Sequence, residues 1–123
     1  MSWLAVGLGA ALGAWLRWGL AVFLNTAKVA IPLGTLAANL GGGYLIGLLV
    51  AWFSQHPAVP VEWRLFAITG FLGGLTTFST FSAEAMTLLQ RGDYAVALIH
   101  SAVHLIGSIA CCIAGYATYR AFA

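Results

Sequence analysis

The sequence predicts an all-α membrane protein with four transmembrane helices, and its composition and the spacing of its apolar runs carry this prediction. The chain has 123 residues, of which 62% are hydrophobic and only 7% are charged. Its mean hydropathy is +0.96. A soluble domain normally has about a quarter of its residues charged. A net charge of +2 from scattered basic residues also gives no indication of a nucleic-acid partner.

Four apolar segments are each long enough to cross a membrane, because a hydrocarbon core of roughly 30 Å needs about 20 helical residues. The polar links between them include Pro57, Pro60 and Gly92, residue types that end helices. Because the segments use almost the whole chain, we expect a single transmembrane domain over residues 1–123. The predicted spans are approximately residues 3–24, 32–53, 63–89 and 94–119.

Two features of these segments have ordinary explanations. The first segment lacks a basic amino-terminal region, and its apolar run continues past Arg17 to Leu24, so we expect a span and not a cleaved signal peptide. Cys111 and Cys112 are neighbours in the fourth segment. Neighbouring side chains on a helix point in different directions, so we expect these cysteines to fill apolar space and not to form a disulfide.

The orientation signal is almost absent. Lysine and arginine normally stay on the cytoplasmic side of a membrane. Four spans place Arg64 and Arg120 on one side and Lys28 and Arg91 on the other, so the charges balance. Either the orientation is weakly specified, or the chain inserts both ways and pairs as an antiparallel dual-topology homodimer. Four short helices enclose little space, which favours a pathway between two subunits.

Polar residues recur every fourth position on two of the spans, which places each set on one helix face. Asn39, on the second span, either joins two helices or presents its amide to a permeating anion. Because the pair His100 and His104 on the fourth span has no acidic neighbour, it is only a weak indication of a metal site. The alternatives are a row of hydrogen-bonding groups beside a water-filled pathway, or helix packing. The two sets are Thr35, Asn39 and Gly43, and His100, His104 and Ser108.

Two charged residues inside the spans also need an explanation. An arginine at the centre of a span costs about 3 kcal/mol on insertion scales. Arg17 therefore either extends to the interface, bonds to carbonyl groups freed elsewhere, or raises the local positive potential for anions. Glu84 is the acidic residue within the predicted spans, and it has no acidic companion that would suggest proton coupling.

The third span contains the sequence GFLGGLTTFSTF at residues 70–81, which predicts a helix broken near its middle. Gly73 and Gly74 each weaken a helix by roughly 1 kcal/mol. Unpaired backbone groups in lipid cost several kcal/mol each, so other partners must replace the lost hydrogen bonds. Freed carbonyl groups suit a cation, whereas freed amides and hydroxyls suit an anion.

Aromatic rings follow the predicted break. Phe78 and Phe81 are three residues apart and share a helix face, with Ser79 and Thr80 between them. The edge of an aromatic ring carries partial positive charge and can face a small anion. Together with the hydrogen-bond donors and Arg17, these rings indicate a pathway for a small, strongly hydrated anion.

The segment GFLGGLTTFSTF resembles the signature of the Fluc (CrcB-type) fluoride channels of bacteria. GAWLR at residues 13–17 and GTLAANLGGGYLIG at residues 34–47 are similar to that family's patterns in the first and second spans. The resemblance covers essentially the whole chain. It implies an antiparallel dual-topology homodimer in the inner membrane, with two pathways that let fluoride leave the cell passively and so protect it from fluoride toxicity.

The resemblance also implies roles for individual residues. Asn39 and the ring edges of Phe78 and Phe81 would contact fluoride. A structural sodium ion on the dimer axis would be held by the backbone carbonyls of Gly73 and Thr76 from both subunits, and Arg17 would have a structural or electrostatic role. By the same resemblance, hydroxyl donors would come from Ser79, Thr80 and Ser108. Two residues of the polar helix faces, Thr35 and His104, complete the expected pathway.

Three other classes of protein fit the sequence less well. A dual-topology multidrug or cation exporter needs a carboxylate in its core, and the first span offers Arg17 instead. A non-conducting membrane scaffold would explain the GxxxG pattern at Gly9 and Gly13 but not the polar faces. No nucleophile–base pair is visible, so we do not expect an enzyme.

The fourth span departs from the family pattern, because His100 and His104 stand where hydroxyl residues are usual. Histidine titrates near neutral pH. We therefore predict that fluoride conduction depends on pH. Fluoride efflux from liposomes, measured between about pH 5.5 and 8, tests this prediction, and a flat profile would contradict it.

Overall fold

The computed structural model describes residues 1–26 and 28–123, and every regular element in these residues is helical. Four helical stretches are long and apolar enough to cross a membrane, which confirms the predicted number of spans. Residue 27, in the predicted link after the first span, lies outside the described residues. The stretches are Ser2–Leu24, Leu33–Gln55, Val61–Gln90 and Tyr94–Phe122.

The first, second and fourth spans are single α-helices: α1 (Ser2–Leu24), α2 (Leu33–Gln55) and α6 (Tyr94–Phe122). The third span is composite. Its elements, in order, are α3 (Val61–Arg64), a π-helix (Leu65–Leu72), α4 (Gly73–Leu75) and α5 (Ser79–Gln90).

Three residues of the third span, 76–78, lie between α4 and α5 and belong to no helix. Thr76 is extended there, with φ −84° and ψ 155°. The wider π-helical turn immediately before α4 is a local geometry that often accompanies functional sites. The sequence contains no signal that distinguishes this π-helix from an ordinary α-helix.

Small residues let the spans approach each other closely. α2 packs along α6, and α1 packs against the π-helix and α4. A methyl group on Gly47 would overlap the carbonyl oxygen of Cys112, and one on Gly13 would overlap that of Phe71. The small-residue patterns noted in the sequence therefore mark close helix contacts, as is typical of membrane proteins.

A tight turn joins the third and fourth spans. Gly92 has φ +80°, a left-handed conformation that glycine adopts without steric cost. The amide of Gly92 donates to the carbonyl of Leu89 at 3.0 Å, and that of Asp93 donates to the carbonyl of Leu88 at 2.9 Å. This pair of bonds closes the end of α5 and turns the chain directly into α6.

We predict that Gly47→Ala destabilises the fold, because the added methyl group has no room beside the backbone of α6. Gly41→Ala is the matched control on the same helix, since a methyl group there meets nothing within 4 Å. Thermal unfolding in detergent should show a lower midpoint for the Gly47 variant alone. Alanine forms helices better than glycine by about 1 kcal/mol, so an unchanged or raised midpoint for both variants would contradict the packing.

Candidate functional site

The interruption in the third span is tied to α2 by the side chain of Asn39. The backbone amide of Thr77 donates to Asn39 Oδ1 at 2.7 Å, and Asn39 Nδ2 donates to the carbonyl of Thr77 at 3.0 Å. We call these two hydrogen bonds the Asn39 clasp. They fix which end of the amide is oxygen and which is nitrogen, because a peptide N–H requires an acceptor and a carbonyl requires a donor.

The Asn39 clasp releases carbonyl groups at the end of α4. In a continuous helix the amide of Thr77 would donate to the carbonyl of Gly73, but it donates to Asn39 instead. The amide of Thr80 would likewise donate to the carbonyl of Thr76, but it donates to Thr77 Oγ1 at 3.1 Å. The carbonyls of Gly73 and Thr76 therefore lose their helical donors and are free to accept from another group.

Arg17 is the hydrogen-bond donor to a third freed carbonyl. Its Nε donates to the carbonyl oxygen of Gly74 at 3.1 Å. The side chain is half-buried and belongs to α1. Of the alternatives that the sequence left open, the bond to a freed carbonyl is the one that the structure contains. α1 therefore supports the interruption through a charge-assisted hydrogen bond, which is stronger than a neutral one.

An open groove of about 530 Å³ lies beside the interruption, between α2, α6 and the third span. Most of its wall is apolar, and the polar groups concentrate at residues 76–78 and on the facing side of α6. Four of the expected site residues do not line it: Arg17, Thr35, Ser79 and Thr80. Those that do are Asn39, Gly73, Thr76, Phe78, Phe81, His104 and Ser108.

The rings after the interruption form an aromatic cluster with the histidines of α6. Phe81 stacks on His100, with ring centroids 5.1 Å apart, and lies 4.7 Å from His104. Phe78 lies 5.5 Å from Phe81, and 78% of its surface is exposed in the single chain. The polar faces of the fourth and third spans therefore meet at Phe81.

Thr35 and Glu84 form a separate polar contact. Thr35 is buried, and its hydroxyl donates to Glu84 Oε2 at 2.6 Å. Glu84 Oε1 lies 3.5 Å from His100 Nε2. From the sequence we expect no acidic partner near the histidine pair, and this expectation is wrong. Glu84 follows Phe81 by one turn of α5, and so it faces α6 beside the same cluster.

The hydrogen bonds of His104 define its protonated nitrogen. Asn39 Nδ2 lies 3.0 Å from His104 Nδ1, and the Asn39 clasp identifies Nδ2 as a donor. His104 Nδ1 is therefore an acceptor, and the ring proton of the neutral imidazole is on Nε2. His104 Nε2 is buried and has no hydrogen-bond partner among the described residues.

Sequence reasoning missed the role of Thr77. Its peptide N–H donates one bond of the Asn39 clasp, and its carbonyl accepts the other. The two residues are 38 positions apart, and no periodicity joins them. Two consecutive threonines shortly after Gly73 and Gly74 are the signal that would have drawn attention to it.

The fold and the groove define a class of protein: a multi-pass membrane protein with a polar site at an interrupted helix. A family model described as CrcB-like protein, Camphor Resistance (CrcB), matches residues 4–116. This chain belongs to that family.

Curated relatives agree over nearly full length. The chain is 61% identical over 123 residues to a protein of Cupriavidus pinatubonensis, covering 100% of this chain and 98% of the relative. It is 64% identical over 107 residues to one of Thiobacillus denitrificans, covering 87% of this chain and 86% of the relative. A protein of Pseudomonas putida is 58% identical over 118 residues, covering 96% and 93%. All three are named fluoride-specific ion channel FluC.

We predict that Arg17→Met destabilises the protein by about 1–3 kcal/mol, because the carbonyl of Gly74 loses its donor away from water. Arg17→Lys should recover part of this loss. Arg91→Met removes an exposed arginine from the turn after α5 and serves as the control. Thermal unfolding in detergent measures all three variants, and equal midpoints for the two methionine variants would contradict a supporting role for Arg17.

Proposed function

We propose that this protein is a fluoride-selective channel that lets fluoride leave the cell passively through the inner membrane. The observation that carries the proposal is the groove beside residues 76–78, where donors and aromatic ring edges meet at an interrupted helix. The names of relatives that match almost the whole chain support fluoride as the ion. The resemblance of this sequence to the Fluc (CrcB-type) channels implies passive export, without an energy source.

The charge of the groove suits an anion. No carboxylate belongs to its lining in the part of the chain that the structure describes. Glu84 lies nearby, but its Oε2 is engaged by Thr35. An ion that sheds water must find replacement donors, and hydroxyl groups and imidazole N–H groups can supply them. Ser108 lines the groove and carries such a hydroxyl group, whereas His104 lines it with its N–H buried.

Phe78 and Phe81 would guide the ion along this path. An aromatic ring edge attracts an anion through its quadrupole but carries no proton that the ion could remove. Phe81 lies between Phe78 and the histidines of α6. Ser79 and Thr80 adjoin these rings in sequence but do not line the groove, so their hydroxyls would meet the ion only outside it.

The hydrogen bonds of Asn39 limit how it could contact fluoride. Both protons of Nδ2 are used, one by the carbonyl of Thr77 and one by His104 Nδ1. Asn39 would therefore contact fluoride only if the ion replaced one of these acceptors. The bond to His104 is the more easily replaced, because its loss leaves the Asn39 clasp intact. Asn39 would then hold the interruption open and also offer one donor to the ion.

We also propose that the functional unit is an antiparallel dual-topology homodimer. The balance of positive charges around the four spans supports insertion in both orientations. The openness of the groove supports a second copy as its cover, because Phe78 leaves 78% of its surface exposed beside it. A membrane protein gains from covering a face that carries unpaired carbonyl groups.

The freed carbonyls of Gly73 and Thr76 fit a structural sodium ion. Both residues line the open groove, and both have lost their helical donors to Asn39 and Thr77. Carbonyl oxygens are the ligands that hard cations prefer. Two subunits would contribute two carbonyls each. Bound sodium would supply a fixed positive charge, while the residues of this chain hold the carbonyls in place.

Fluoride efflux from liposomes tests the proposed function. Purified protein is reconstituted into liposomes that are loaded with fluoride or chloride, and ion electrodes record the loss of each anion from the liposomes. We predict loss of fluoride without loss of chloride. Phe81→Ile should slow the efflux roughly fivefold, because an aromatic contact is worth about 1 kcal/mol.

Phe66→Ile is the matched control, since Phe66 lies on the same span against Trp63 and does not line the groove. Loss of chloride as fast as fluoride would contradict fluoride selectivity. Equal slowing of fluoride efflux by both variants would contradict a specific role for Phe81. Size-exclusion chromatography of each variant establishes that the assembly is unchanged.

Protease accessibility tests the dual topology. A tag with a cleavage site at the amino terminus should be cut in about half of the molecules when protease is added outside sealed cells, because equal numbers would insert each way. A control protein with a known cytoplasmic terminus reports leakage. Complete cleavage or complete protection would show a single orientation and would contradict the antiparallel dimer.

A further inference from the structure

A second polar cluster lies between α5 and α6, on side chains that the proposed channel leaves mostly unused. It consists of Glu84, His100 and His104, and we call it the Glu–His–His cluster. One ligand atom from each residue lies within 4.8 Å of the other two. Glu84 Oε1 and His100 Nε2 are 3.5 Å apart, and the rings of His100 and His104 have centroids 4.5 Å apart.

The cluster contains unsatisfied buried groups that face one another. His100 has no exposed surface, and neither of its ring nitrogens has a partner among the described residues. Glu84 Oε1 and His104 Nε2 are also buried without partners. A buried polar atom without a partner is costly, and native structures seldom contain several at one place without a reason. The cluster therefore suits an additional group placed between these atoms.

The chemistry of the three side chains identifies that group. Two imidazole nitrogens and one carboxylate oxygen are typical ligands of zinc-class ions, whereas sodium, calcium and magnesium prefer oxygen alone. Ligands about 2.1 Å from a tetrahedral zinc ion lie roughly 3.4 Å from each other. The 3.5 Å between Glu84 Oε1 and His100 Nε2 fits this spacing.

Neighbouring side chains orient these three ligands, in the way that groups around a metal site orient the residues that bind the metal. Thr35 donates to Glu84 Oε2 and leaves Oε1 free. Phe81 packs on both imidazole rings at 5.1 and 4.7 Å, which fixes their planes. Such supporting contacts orient ligands and raise metal affinity. His104 lines the groove and the Glu84 side chain is 15% exposed, so the cluster has a route of entry.

We propose that the Glu–His–His cluster binds a divalent transition-metal ion of the zinc class. The three protein ligands leave a fourth position for water. The net charge of the occupied site is positive, because one carboxylate faces a doubly charged ion. This site is separate from the carbonyls of Gly73 and Thr76, and its ligands have a different chemistry. The proposal stands whether or not the protein conducts fluoride.

Metal binding would compete with one hydrogen bond of Asn39. His104 now carries its proton on Nε2, because Nδ1 accepts from Asn39. A metal ion takes the lone pair of a nitrogen without a proton, so binding through Nε2 moves the ring proton to Nδ1. Asn39 Nδ2 then loses its acceptor at His104, while both bonds of the Asn39 clasp to Thr77 remain. Zinc binding would thereby change the contacts of Asn39 without breaking the Asn39 clasp.

Equilibrium dialysis of the full-length protein tests the proposal without any transport assay. The protein is purified in detergent through an affinity tag that contains no histidine, stripped with chelator and dialysed against Zn²⁺, and bound zinc is measured by elemental analysis. We expect one zinc ion per chain. Glu84→Gln keeps the size of the side chain and its contact with Thr35, yet it should weaken binding by at least about tenfold.

His56→Gln is the matched control, because His56 is exposed and stacks on Trp52 outside the cluster. A variant with serine at Cys111 and Cys112 removes the thiols as alternative ligands and should bind zinc as the wild type does. Absence of stoichiometric zinc, equal affinity in Glu84→Gln, or loss of binding in the cysteine variant would each overturn the proposal.

Cobalt absorption gives a readout on the wild-type chain alone, so that a poorly folding variant does not decide the outcome. Co²⁺ in a low-coordinate site with nitrogen ligands absorbs visible light far more strongly than hydrated Co²⁺. We expect such a band, displaced by one equivalent of Zn²⁺. A spectrum like that of hydrated Co²⁺ would show only loose surface binding and would contradict a built site.

Discussion

The pair of hydrogen bonds between Asn39 and the peptide group of Thr77 is the constraint on which the rest of the structure depends. A backbone that leaves its helix inside a membrane protein must find other partners for its amide and carbonyl. One carboxamide supplies a donor and an acceptor together, so it can replace a peptide neighbour on both sides. Without that replacement the third span would have to remain helical through residues 76–78.

The consequence is a site whose two sides differ in chemistry. On the α4 side the carbonyls of Gly73 and Thr76 offer oxygen atoms, and Arg17 satisfies the carbonyl of Gly74 between them. On the α5 side, the rings of Phe78 and Phe81 lie beside each other, and Phe81 contacts His100 of α6. A single interruption would thus place the proposed cation site beside the proposed anion pathway, which is the physical basis of the proposed channel.

The fold was largely predictable because hydropathy and length act locally. The predicted spans end within about three residues of the observed ones. The contacts across the site were less predictable, since spacing identifies which residues share a helix face but not which neighbour they meet. Asn39 reaches Thr77 across 38 residues, and Glu84 approaches His100 from another span. The π-helix at Leu65–Leu72 has no sequence signature either.

Amide hydrogen exchange at Thr77 in detergent tests the central claim most directly. In Asn39→Ala the Thr77 amide has no acceptor, so its exchange should be at least about tenfold faster than in the wild type. Asn39→Asp still accepts from this amide but cannot donate to the carbonyl of Thr77, and it should give an intermediate rate. Asn25→Ala, which removes an acceptor of the Gly34 amide far from the interruption, should leave Thr77 unchanged. Equal protection of Thr77 in the wild type and in Asn39→Ala would contradict the account.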